Sequence, residues 1–172
     1  RGRVKQNSET AKLPELVVEN YDPSGMQGLQ EIAQSSLGSQ LSVSGVTRRE
    51  GNLTVHQGGL ALEQGYLYVN GNLEVFGGLS GKGAIFATGD VTVHGISHFA
   101  TENLQAIVAK GNLKLYGSGA QSSSFQGLLM AGGSQLRAEQ MTLVGSFLGT
   151  SREAAGSQVE LDQVQLISSP QA

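Results

Sequence analysis

Gly71-Asn72-Leu73-Glu74-Val75 is one of four versions of the same phrase. Gly51-Asn52-Leu53-Thr54-Val55 precedes it; Gly89-Asp90-Val91-Thr92-Val93 and Gly111-Asn112-Leu113-Lys114-Leu115 follow. The anchor glycines stand 20, 18 and 22 residues apart, and a degenerate fifth copy follows 22 residues on at Gly133-Ser134-Gln135-Leu136-Arg137. A fixed period in this range marks an array in which each unit stacks on the next.

Outward from the phrase, each unit holds a second short apolar run just before its glycine: Tyr66 to Val69, Ala84 to Ala87, Ala106 to Ala109, Leu128 to Ala131. Alternation gives every strand an inward and an outward face. Leu67, Ile85, Ile107 and Leu129 stand four before the anchor, and Val69, Ala87, Ala109 and Ala131 two before it. Leu53, Leu73, Val91 and Leu113 stand two after it, with Val55, Val75, Val93 and Leu115 four after. Such columns of aliphatic side chains would line the axis of a parallel β-solenoid, and the expected fold is all-β, a right-handed β-helix of about 18–22 residues per coil. One coil cannot bury its inward face alone, so stability accrues by stacking neighbours. A sandwich or barrel also builds from short strands and glycine turns, but neither explains the recurring phrase. Gly, Asn and Asp at the corners are expected to supply positive φ. The fifth copy is one residue out of phase, which places Leu136 and Ala138 inward and an inserted residue near a corner. Met141–Val144, Val159–Leu161, Val164 and Leu166 read as an irregular or closing coil.

Composition supports one packed domain. Glycine supplies 25 of 172 residues and charged residues only 15 %, yet Leu, Ile and Val stay abundant in the periodic part, unlike a disordered chain. The absence of Cys excludes a disulfide framework and thiolate chemistry. No run approaches the roughly 20 apolar residues that span a bilayer. The opening Arg1 reads as the start of a processed or excised fragment whose upstream anchor is missing. Net charge is −3 and unevenly spread: Arg1, Arg3, Lys5 and Lys12 precede Leu13, leaving seven basic residues against thirteen acidic ones in the body. The domain plan is a flexible basic arm at 1–12, an extended segment plus capping helix at 13–38, the solenoid at 39–168 and a tail at 169–172. The helix is expected from Met26, Leu29, Ile32 and Ala33, an amphipathic stripe ending near Gly38. At the mouth of a solenoid it covers an end or flank and blunts an unpaired strand edge. Its polar side carries Gln and Glu, unlike a membrane-surface helix.

Catalytic constellations are missing from the sequence. No serine sits in a G-x-S-x-G elbow, and Gly78-Leu79-Ser80-Gly81-Lys82-Gly83 has the wrong spacing for a phosphate loop. His94 and His98 lack a third ligand nearby, so no metal and no cofactor is expected. Asp90 fills the corner slot that Asn holds in three other copies, which assigns it to turn geometry. A polysaccharide-cleaving β-helix needs two or three acidic residues on one flank in neighbouring coils, and the repeat slots supply none.

Two outward rows carry large side chains. Tyr68, Phe86, Val108 and Met130 stand three before the anchor; His56, Phe76, His94 and Tyr116 stand five after it. Exposed rows of this kind mark contact surfaces unless another segment covers them. The Tyr68 row is read as covered, by the Met26–Ala33 helix or the C-terminal segment. The His56 row is the candidate binding site, with Lys110, Lys114 and Arg137 close enough in the repeat to help with an anion; ring stacking there suits a sugar, a base or a protein.

Leu13-Pro14-Glu15-Leu16, Tyr68-Val69-Asn70-Gly71-Asn72-Leu73, Ala87-Thr88-Gly89-Asp90-Val91 and Val108-Ala109-Lys110-Gly111-Asn112-Leu113 resemble the solenoid domain of bacterial type IV pilus accessory proteins of the PilX-like minor-pilin group. The resemblance covers most of residues 13–145. Bactofilin-like cytoskeletal polymers use similar glycine punctuation, but their repeats are more uniform; the irregular periods and the expected loops at Ser97–Glu102 and Ser118–Phe125 fit an accessory domain. The resemblance implies a non-enzymatic display or adhesion module outside the bacterial cell, on the surface or a pilus. Its partners would be pilus or cell-surface proteins, DNA (through natural competence) or a glycan, with the membrane reached only through an absent N-terminal anchor. A self-assembling filament and a polysaccharide-acting enzyme are the alternatives.

Overall fold

The computed structural model describes residues 17–96, 105–151 and 158–167. The arm at 1–12, the Leu13–Leu16 phrase, the loop at 97–102 with His98, and the tail at 169–172 lie outside them. Two parallel sheets face one another. The first holds β1 (Gln30–Ile32), β3 (Leu41–Glu50), β5 (Leu60–Asn70), β7 (Leu79–Ala87), β9 (Gln105–Ala109), β11 (Ser124–Ala131), β13 (Thr142–Gly149) and β15 (Gln165–Ile167), in that spatial order. The second holds β2 (Ser36–Leu37), β4 (Leu53–Val55), β6 (Leu73–Phe76), β8 (Val91–Ile96), β10 (Leu113–Gly117), β12 (Gln135–Glu139) and β14 (Gln158–Asp162). Odd strands pair with odd and even with even, the signature of a parallel β-solenoid.

Register turns the sequence columns into a core. Leu67, Ile85, Ile107 and Leu129 are successive partners in the first sheet; Leu53, Leu73, Val91, Leu113 and Leu136 are successive partners in the second. All are buried, and each such side chain stabilises the fold by about 1.5–3 kcal/mol. Leu136 and Ala138 face inward as the phase shift requires. The extra residue is Ser134: the Asn112 side chain receives its hydrogen bond from Gln135 N–H, one place later than in the other copies. The loop expected at Ser118–Phe125 is shorter than that: Gly119 and Ser123 bond locally in a turn, and β11 already begins at Ser124.

The corners work differently from the positive-φ expectation. Of the anchor glycines only Gly51 is left-handed, at φ +86°; Gly71, Gly89, Gly111 and Gly133 are not, nor are Asn72, Asp90 and Asn112. Room is what the glycine supplies. A Cβ at Gly89 would stand 2.0 Å from Asn72 Oδ1, and one at Gly111 would stand 2.1 Å from Asp90 Oδ1. Those oxygens form a ladder along the axis. Asn52 Oδ1 accepts from Asn72 N–H at 2.9 Å, Asn72 Oδ1 from Asp90 N–H at 2.8 Å, and Asp90 Oδ1 from Asn112 N–H at 2.8 Å. Asp substitutes for Asn because only the acceptor oxygen is used.

The expected Met26–Ala33 helix is not formed. Gly25 and Gly28 sit at φ +82° and +81°, conformations that end a helix after a turn, and Gln30–Ile32 finds a hydrogen-bonding edge on β3. Strands therefore begin inside the segment assigned to the cap. The cover on the Tyr68 row is instead an upstream strap, a 3-10 turn at Val18–Tyr21. Val18 is buried against Tyr68, Phe86 and Val108, and Tyr21 stacks on Phe86 with ring centroids 4.5 Å apart. The Tyr66 hydroxyl donates to Tyr21 O. Arg48 clasps Asp22 through two hydrogen bonds of 2.8 and 3.0 Å; its guanidinium holds the Asp22 carboxyl down at about 2.

Candidate binding face

The outer face of the second sheet carries the other row. His56, Phe76, His94 and Tyr116 come from consecutive coils at one outward position, and their rings form a continuous stack. Centroid separations along it are 6.3, 4.5 and 5.3 Å, with interplanar angles of 5, 4 and 17°. Strand spacing of about 4.8 Å sets this geometry: in-register side chains repeat at nearly the thickness of a stacked ring pair. His56 Nε2 lies 2.9 Å from Ser36 Oγ, and His94 Nε2 lies 3.2 Å from Glu74 Oε1. Register carries the same column on to Glu139 and Asp162.

Stacking changes what the row can recognise. Each ring covers its neighbour's face, and even the widest gap is too narrow to admit another ring. Solvent meets ring edges: imidazole nitrogens, aromatic C–H groups and the Tyr116 hydroxyl. No base or sugar fits between neighbouring rings; only the outer faces of His56 and Tyr116, at the two ends of the row, lack a stacked ring.

Beside the rings runs a second outward column, Thr54, Glu74, Thr92, Lys114, Arg137 and Glu160. The three cations expected to assist the site separate here. Lys114 lies on the face and has no ion-pair partner among the described residues. Arg137 is on the face but engaged, with Glu139 and, at 3.3 Å, with Glu160. Lys110 belongs elsewhere: it pairs with Glu19 of the strap, and that contact lowers the Glu19 carboxyl below its usual range. Its place one residue before an anchor glycine puts it on the corner beyond β9, on the strap's side.

Acidic neighbours also appear where none were expected. Glu139, Glu160 and Asp162 share this face at its C-terminal end, in adjacent coils, because the inserted Ser134 shifts the spacing by which slots were counted. The Arg137 guanidinium bridges Glu139 and Glu160, so they form a charge cluster. Glu74 and Lys114 were legible in the sequence as the residues three after an anchor glycine. Among the described residues no three His, Cys, Asp or Glu side chains are grouped to hold a metal ion. No protein-family model matches the chain, and no curated protein or solved structure shows significant similarity to it.

Proposed function

We propose that this chain is a non-enzymatic display and adhesion module that engages another protein through the ring-edge row of its second sheet. The observation that carries this reading is the contrast between the two outward rows. The Tyr68 row is sealed by the strap, whereas the His56–Tyr116 row has no cover among the described residues. A flat strip of aromatic edges bordered by mixed charges has the character of a protein-binding surface, with an aromatic centre and a polar rim. The resemblance of the repeat to the solenoid domain of type IV pilus accessory proteins makes a pilus-associated or cell-surface setting outside a bacterial cell the natural context. Against DNA stand the engagement of Arg137 and Lys110 by carboxylates and the acidic end of the face; phosphate binding draws on unpaired cations.

Two assays test the reading together. Isolated pilus fibres are incubated with the domain and sedimented; wild type is expected to co-sediment and a Phe76→Ser/Tyr116→Ser variant to remain in solution. A labelled DNA duplex is titrated in parallel at about 50 and about 200 mM salt, the range over which phosphate-driven binding collapses. Salt-sensitive duplex binding abolished by Lys114→Ala would replace the proposal with DNA capture. Co-sedimentation indifferent to the ring substitutions would remove the face from the account.

A further inference from the structure

About the coil of Thr92 and His94, the outer face of the second sheet is complementary to itself. One coil before it stand Glu74 and Phe76, and one coil after it Lys114 and Tyr116. Two coils before it stands His56, and two after it Glu139. Three coils before it stands Ser36, and three after it Glu160. Glu74 touches His94 through one carboxylate oxygen at 3.2 Å, and Lys114 has no ion-pair partner among the described residues. Glu74 and Lys114 are two coils apart, about 10 Å along the axis, too far to pair within one copy.

We propose that this face pairs with the same face of a second copy of the chain, the two solenoids lying antiparallel. The inference rests on the reading of the ring row as a protein-binding strip, and it names a partner for that strip. A two-fold axis along the strand direction at the Thr92–His94 coil exchanges the coils on either side and keeps each column opposite itself. The contact is isologous. Glu74 of each copy then meets Lys114 of the other, Phe76 meets Tyr116, and His56 meets Glu139. Ser36 lies opposite Glu160, so no two carboxylates and no two Lys or Arg side chains are apposed. Thr92 and His94 alone face their own counterparts.

Charge selects this register. With the axis one coil further on, Lys114 opposes itself and Glu74 opposes Glu160; one coil back, Glu74 opposes itself. A half-coil step forward gives Lys114 only Thr92 and lays the Glu139 carboxylate on Phe76. A half-coil step back leaves both Glu74 and Lys114 facing threonines. Parallel solenoids, related by an axis along their length, exchange the two columns and set Glu160 against Asp162. The face, seven strands tall, measures about 30 Å by about 15 Å. Two copies therefore bury about 1,000 Å² together, the lower bound for a specific contact, and the dimer is a weak one.

Sedimentation equilibrium with a charge swap decides the matter. At about 200 μM, a concentration that populates complexes of micromolar affinity, the chain is expected to approach twice its 17.9 kDa mass. Glu74→Lys and Lys114→Glu each set like charges across both contacts and are expected at the monomer mass, with unchanged circular dichroism. The double variant Glu74→Lys/Lys114→Glu restores opposite charges across the two copies and is expected to dimerise again. Glu31→Lys, exposed on the first sheet, is expected to stay dimeric. A wild-type monomer at that concentration, single variants that remain dimeric, or a swap without rescue would each overturn the proposal. The fibre assay reports separately. A wild-type monomer that co-sediments through Phe76 and Tyr116 removes the dimer and keeps the display reading; a dimer that does not co-sediment with fibres does the reverse.

Discussion

The closest test of how the coils are held apart is Gly89→Ala. Gly89 is not left-handed, so backbone strain predicts no penalty. The added Cβ, however, would lie 2.0 Å from Asn72 Oδ1 and 2.9 Å from Gly71 C and O. Relief requires the two coils to part at their corner, which also weakens the 2.8 Å bond from Asp90 N–H to Asn72 Oδ1. Overpacking of this kind costs about 1–3 kcal/mol, and the loosened hydrogen bond adds about 1 kcal/mol. The expected loss is about 2–4 kcal/mol, a fall in Tm of about 5–15 °C for a chain of this size. Gly45→Ala is the contrasting case: nothing lies within 4 Å of its Cβ, but φ is +79°, and left-handed strain alone costs about 1–2 kcal/mol. The mechanism is isolated by repeating Gly89→Ala in an Asn72→Ala background, where the nearest obstruction is gone. Thermal and urea unfolding followed by circular dichroism should show the Gly89→Ala penalty shrinking by about 1 kcal/mol or more, beyond the roughly 0.5 kcal/mol expected of independent sites. Strict additivity, or a Gly89→Ala penalty under about 0.5 kcal/mol, would refute the reasoning.

Other outcomes follow from named contacts. Asp90→Asn keeps the acceptor for Asn112 N–H and should change stability by under about 0.5 kcal/mol in urea unfolding, whereas Asp90→Ala leaves that donor unpartnered and should cost about 1–2 kcal/mol. The Asp22 carboxyl is depressed from 3.8 to about 2 by Arg48, so its contribution, about 2 kcal/mol at most, is complete above pH 3.8 and disappears as pH falls through about 2. Tyrosine fluorescence of the strap should report this acid transition in wild type and lose it in Asp22→Asn. Phe76→Ala removes both of that ring's stacking contacts and should cost about 1–3 kcal/mol, while the solenoid's circular dichroism stays unchanged.

What the sequence made legible was whatever the repeat imposes. Alternation placed every inward column correctly because a one-residue slip would expose a whole column to water, and the same arithmetic put His56, Phe76, His94 and Tyr116 in one row. The corner chemistry was only half legible: the G-[ND] phrase located the corner, but the reason for glycine is the approach of a side-chain oxygen from the neighbouring coil, a contact across 18–22 residues. The helix expectation failed at Gly25 and Gly28, where a helical stripe competed with two left-handed glycines and a free edge on β3. The destinations of Lys110 and Arg137 were not legible either. Proximity in the repeat says which residues are near an anchor glycine; it does not say that Glu19, 91 residues away in sequence, takes Lys110 to another face.

The strap and the ring row bear on one another. Both are rows of large side chains on a parallel solenoid, and each would expose apolar surface along the axis if left alone. The chain solves the problem twice. On the first sheet an added segment covers the Tyr68 row and is locked by ion pairs at both ends, Glu19 with Lys110 and Asp22 with Arg48. On the second sheet the rings cover one another's faces, so most of the apolar area is buried within the row and only edges remain. Stacking hides the ring faces without a lid. On the proposed reading, a partner would meet a surface pre-ordered by the fold. Binding there has little side-chain freedom left to lose, because each ring is already held between neighbours, and the entropic cost of fixing interface side chains, about 0.5–1.5 kcal/mol each, has been met in folding. A face meant only to be inert would be simpler to make from Thr and Lys, as the adjacent column does at Thr54, Thr92 and Lys114.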